Sequence, residues 1–147
     1  MRKLTVTAAL LGLTALGVTV PTTAAQAADS AVAGCGDLWG PRNGKVYAWD
    51  LPNCQGTLIY VGTGNAADWG DASDKASSVM NRGYAGSLDH VAFYDHAGYG
   101  GGHGCLAPGE LYVADLAYNR FNDGTSADNR ISAHRWVNRS FCSTLWT

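Results

Sequence analysis

The reactive residue types in this chain are few: four cysteines, four histidines and two short clusters of Asp, Asn and Ser. Cys35, Cys54, Cys105 and Cys142 show no C-x-x-C spacing, which argues against a zinc ribbon or a thioredoxin-like site. An even count in a small secreted domain reads as two disulfides. Three pairings are open from the sequence. The preferred one, Cys35–Cys54 with Cys105–Cys142, would staple each chain end to its nearer half. His90 follows Asp89 and His96 follows Asp95, but neighbours on a strand point to opposite faces and form no relay. His96 and His103 stand seven apart in a glycine-rich stretch with no evident third metal ligand. His134 reads as a packed, hydrogen-bonded histidine. No G-x-S-x-G nucleophile motif occurs, and Glu110 is the single glutamate, so no glutamate pair exists for glycoside chemistry. A non-enzymatic protein is expected.

Asp74 with Ser77, and Asn129 with Ser132, place hard oxygen donors at one short spacing, the ligand type Ca²⁺ takes. The same side chains also cap turns through local backbone bonds. On spacing alone, capping is the simpler account. Gly98-Tyr99-Gly100-Gly101-Gly102-His103-Gly104 lacks the Lys-Ser/Thr and the following helix of a phosphate loop.

These residues sit in a chain whose start carries a separate message. Met1-Arg2-Lys3 is basic, Leu4 to Val20 is apolar apart from threonines, and Pro21 ends the run. Ala25-Gln26-Ala27 then supplies a small-x-small cleavage pattern, so residues 1–27 read as a secretory signal peptide. The apolar run is marginal for spanning a bilayer and no stop-transfer charges follow it. The mature part is expected to be extracellular, free of the membrane and monomeric. Without Arg2 and Lys3, eight basic residues face twelve acidic ones, which gives no electrostatic reason to seek nucleic acid.

The mature 120 residues are the size of one domain. Val46–Trp49, Thr57–Val61, Ser77–Arg82, His90–Tyr94, Leu111–Leu116 and Ile131–Val137 are runs rich in β-branched and aromatic residues between Gly, Asn, Asp and Pro clusters. No window carries a sustained helical stripe. Only Ala66–Trp69 and Ala117–Phe121 suggest a helical turn. An internal repeat organises the runs. Aligning Gly56 with Gly101 places Val46 on Val91, Trp49 on Tyr94 and Cys54 on Tyr99. Farther on, Ser73-Asp74-Lys75-Ala76-Ser77-Ser78 is echoed by Asp128-Asn129-Arg130-Ile131-Ser132-Ala133. The hairpin turns need glycine for backbone conformations closed to residues with a Cβ, and at Cys54 a disulfide would fix the bend that a second ring fixes at Tyr99.

The repeat resembles the βγ-crystallin superfamily, whose motifs are Y/F-x-x-x-x-Y/F-x-G and N/D-N/D-x-x-S/T-S. Tyr94 to Gly101 matches the first motif, as does Trp49 to Gly56 except at Cys54. The second motif is departed from at Ser73 and Ala133. The resemblance implies an all-β domain of two Greek-key motifs, a two-sheet sandwich with two disulfides, over residues 45–137. A 28–44 extension would precede it, and a 138–147 tail held by Cys142 would follow. It further implies calcium held by the second and fifth residues of one motif with backbone from the hairpin of the other. Asp74, Ser77, Asn129 and Ser132 would be the side-chain ligands, with help near Gln55 and Gly100. The chain is similar too to secreted actinobacterial metalloproteinase inhibitors of this fold, which implies an extracellular protease as partner. Other roles hosted by the fold are a killer-toxin-like protein, a cell-wall or carbohydrate ligand using Trp39, Trp69 and Trp146, and a structural stress protein. Fold alone does not choose among them.

Overall fold

The computed structural model describes residues 32–147. The expected signal peptide lies outside them. Eight strands form two four-stranded sheets: β1 (Lys45–Leu51), β2 (Gln55–Gly62), β3 (Ser78–Arg82), β4 (His90–His96), β5 (Gly100–Leu106), β6 (Tyr112–Val113), β7 (Ala133–Val137) and β8 (Leu145–Trp146). The first sheet runs β2-β1-β3-β6 and the second β7-β4-β5-β8. All pairings are antiparallel except β5 with β8.

The repeat seen in the sequence is a repeat in space. β1 pairs with both β2 and β3, as β4 pairs with both β5 and β7. Each half also lends a short segment to the other's sheet. Val113 of the second half pairs with Val79, while Ala66 of the first half bridges His134. Both hairpin bends use the same left-handed residues: Asn53, Cys54 and Gly56 in one, Gly98, Tyr99 and Gly101 in the other. A Cβ on Gly56 would collide with Asp50 and Leu51, so that position requires glycine.

Period-two alternation builds three apolar layers. Val46, Ala48, Val79, Val91, Phe93 and Leu106 point inward and form the core between the sheets, with Ile131 and Trp146. The outward side of the first sheet, Trp49 and Met80, is covered by the segment around Cys35. The outward side of the second, Ala92, Tyr94 and Ala133, is covered by the segment around Phe141 and Cys142. The disulfides Cys35–Cys54 and Cys105–Cys142 pin these two covers, and no described cysteine is free.

Several sequence expectations are corrected. The glycine-rich Gly100–Leu106 run, absent from the runs read as strands, is a strand, because Gly102 and Gly104 leave room for the Asp123 and Trp146 side chains against the sheet. The Leu111–Leu116 run shortens to Tyr112–Val113, since Leu111 takes a left-handed φ of 65° and Leu116 begins a 3-10 turn. Trp69 and Trp146 are core residues at 5% and 1% exposure, not surface ligands. Trp69 stacks on Tyr60 and Trp146 on Phe93. Helical turns occur at Gly70–Ala72 and Leu116–Tyr118 rather than at the expected bounds.

Candidate functional site

The seam between the repeated motifs and the loop joining β3 to β4 both combine polar chemistry with surface access.

At the seam the backbone bonds are reciprocal. Asp74 N–H donates to Ile131 O and Asn129 N–H to Ala76 O, at 3.0 and 2.9 Å. Ser77 N–H donates to Trp49 O and Ser132 N–H to Tyr94 O. Both Asx residues hold left-handed φ, 58° at Asp74 and 55° at Asn129, a region Asp and Asn tolerate better than most residues. The crossing bonds carry Asp74 to the opposite motif, where Ser132 Oγ donates to Asp74 Oδ1 at 3.0 Å. Spacing alone pairs Asp74 with Ser77. The structure groups it with Ser132, because the second residue of each motif is tied to the strand entry of the other. Gln55 opens β2 and Gly100 opens β5, each opposite the end of its hairpin partner strand.

Sequence reasoning missed the other pair here. Arg130 donates from Nε and Nη2 to both carboxylate oxygens of Asp95, at 3.1 and 3.0 Å. Asp95 is buried while Arg130 is half exposed. Asp95 raises the pKa of the guanidinium by hydrogen bonding and charge, with Asp74 adding to it. Asp74, Asp95, His96, Asn129 and Arg130 line one shallow cleft.

Calcium needs several oxygen donors and net negative charge. On the Asp74 side, one carboxylate oxygen is taken by Ser132, and the Asp74 charge already acts on the Arg130 guanidinium. That side does not fit the ion. On the Asn129 side, Asn129 Nδ2 donates to Asp128 Oδ2 at 3.0 Å, and Asp128 Oδ1 is buried with no partner. That donor set is of the right type. Among the described residues, no group of three or more His, Cys, Asp and Glu side chains is placed to hold a metal.

The β3–β4 loop, residues 83–89, is held at its base by one buried amide. Asn81 Nδ2 donates to Asp89 O at 2.9 Å, while its Oδ1 accepts from Gly83 N–H at 2.9 Å. Arg42 adds bonds to Gly83 O and Pro108 O, both 2.7 Å. His90 Nδ1 meets Asp89 Oδ1 at 2.7 Å, contrary to the expectation that these neighbours point apart. Asp89 precedes the strand, so alternation does not bind it. Burial opposes ionisation of Asp89, but bonds from Gly86 N–H and His90 more than offset it and lower its pKa. Above this base, Tyr84 and Leu88 are 66% and 57% exposed, beside an apolar groove over Trp136. No sequence signal singles out Asn81, because Ser77, Ser78 and Arg82 make the same run polar at both ends.

His134 is buried and neutral. Trp69 Nε1, a donor only, gives its proton to His134 Nδ1 at 2.9 Å, so the ring's own proton sits on Nε2 facing Gly64 O at 3.0 Å. Burial lowers its pKa to about 4. Both nitrogens are engaged, which leaves no base.

Residues 42–106, a little under half of the chain, match the model of peptidase inhibitor family I36. The chain is similar to a structure described with the evolution of the eye lens βγ-crystallin domain fold, at 22% identity and TM-score 0.52, covering 68% of this chain and 91% of that one. A βγ-crystallin from an archaeon shares 23% identity over 63% of this chain and 96% of its own, at TM-score 0.47. One from Ciona intestinalis shares 16% over 63% and 99%, also at 0.47. No curated protein matches. The fold is that of a βγ-crystallin domain, and the chain resembles a peptidase inhibitor of this type.

Proposed function

We propose that this chain is an extracellular, non-enzymatic peptidase inhibitor whose contact surface is the β3–β4 loop. The match of residues 42–106 to an inhibitor family carries the reading, and the loop lies inside that segment. Its form supports the role. A binding loop gains affinity when its ordering cost is met before the encounter, and Asn81, Arg42 and Asp89 hold both ends of this one. Exposed Tyr84 and Leu88 at its crown supply apolar contact. Two disulfides suit an oxidising, protease-rich medium. A calcium role is proposed for the Asn129 side alone, where Asp128 and Asn129 would supply oxygen donors.

The test is a panel of secreted metallo- and serine endopeptidases assayed with the purified protein. Stoichiometric inhibition of at least one, lost in Tyr84→Ala/Leu88→Ala but kept in a variant of exposed Tyr118, supports the reading. Inhibition that survives the loop double variant moves the contact surface elsewhere.

A further inference from the structure

We propose that the Arg130 guanidinium is the resident cation of the Asp74 side of the seam, doing internally what a bound divalent ion would do there.

The two halves of the repeat provide the comparison. Asp50 and Asp95 occupy equivalent places beside the hairpin glycines Gly56 and Gly101. Asp50 Oδ1 accepts from Thr57 N–H within its own hairpin, at 2.6 Å. Asp95 instead spends both oxygens on Arg130, thirty-five residues away, in the bidentate geometry that makes arginine–carboxylate pairs strong. The residue equivalent to Arg130 in the first motif is Lys75, which is exposed and forms no ion pair among the described residues. A side chain that is solvated in one half is therefore a cross-link in the other.

Its position gives the link its meaning. Asp74 from the first motif, Asp95 from the second hairpin and Arg130 from the second motif line the same cleft. Two carboxylates with no cation between them repel. A fixed guanidinium relieves that repulsion without needing an ion from the medium, and its charge persists at any working pH. Asp74 is held to Ser132, two residues past Arg130, so the ion pair and this hydrogen bond tie the segment leading into β7 to both halves. A divalent ion entering the Asp74 side would have to displace a cation already paired there.

The experiment is thermal melting of wild type and Arg130→Gln, each in millimolar calcium chloride and in chelator, with Asp128→Asn alongside to carry any response of the Asn129 side. Arg130→Gln is expected to melt several degrees lower than wild type in chelator. Calcium is expected to recover more of that loss than it adds to wild type, because the vacated cleft then presents the Asp95 carboxylate, freed of its partner, beside that of Asp74. Equal calcium shifts in wild type and Arg130→Gln overturn the proposal. So does an Arg130→Gln melt indistinguishable from wild type in chelator. Should Arg130→Gln fail to fold, Arg130→Lys takes its place. It keeps the charge and loses the fork, so a folded, calcium-indifferent Arg130→Lys supports the role, and an unfolded one overturns it.

Discussion

Ser132 Oγ donates to Asp74 Oδ1 at 3.0 Å although the two residues lie fifty-eight positions apart. Each belongs to a different copy of the repeated motif, so this contact, like that of Trp69 Nε1 with His134 Nδ1, joins the two halves by side chains. A hydrogen bond to a charged acceptor is worth about 1.5–3 kcal/mol. Asp74→Asn keeps a residue that tolerates the left-handed backbone and removes only the charge. Urea unfolding of Asp74→Asn, Ser132→Ala and the double variant is expected to give a coupling of about 0.5–2 kcal/mol. Full additivity would mean the contact is idle.

The pH dependence follows from His134. Its folded pKa of about 4 lies below the ordinary 6.5, so the unfolded chain binds the extra proton between those values. The stabilisation is complete above pH 6.5 and is lost as pH falls toward 4. The span corresponds to on the order of 3 kcal/mol. His103, also lowered, by burial first and by the Arg135 charge second, acts in the same direction. Unfolding free energies measured from pH 7 to 4 should fall, with a flatter slope in His134→Gln.

The disulfides are expected to differ in weight. Cys35–Cys54 closes a separation of 19 residues and Cys105–Cys142 one of 37. Removal of a native bridge from a small secreted domain costs about 2–5 kcal/mol, more for the longer closure in the chain-entropy account. Paired Cys→Ala variants compared by urea unfolding check the order. Thiol labelling of the native mature protein should find no reactive cysteine.

Asn81→Ala is expected to lower stability and inhibition together. It leaves Gly83 N–H and Asp89 O without their partner, at about 1–3 kcal/mol for each buried group so abandoned. Tyr84→Ala/Leu88→Ala should leave the melting temperature within about 2–4 °C of wild type, because surface changes away from packed features are nearly neutral. Melting curves of both variants, read beside their inhibition, separate bracing from contact.

The pattern of what the sequence disclosed has physical reasons. The repeat was legible because its landmarks, Gly56 and Gly101, are backbone requirements that leave a fixed letter. The cysteine pairing preferred at the outset is the one present, each bridge closing a cover over its own sheet. β5 was hidden because its inward positions are glycines that yield space to Asp123 and Trp146. β8 is two residues long and was invisible to any periodicity. Trp69 and Trp146 looked like exposed ligands because composition does not say which side of a sheet a residue faces. The Asp74–Ser132 contact depends on the two halves crossing, and the Asp95–Arg130 pair on the second hairpin meeting a motif thirty-five residues later. Spacing within one motif carries no trace of that.

The most direct test of the central claim is an active-site titration of a secreted endopeptidase, chosen from a metallo- and serine-type panel, with the purified mature protein. Residual activity is expected to fall linearly to a one-to-one endpoint with wild type, and to stay near its starting value with Tyr84→Ala/Leu88→Ala at the same concentrations. Full residual activity of every peptidase at a large excess of correctly folded wild-type protein would contradict the account.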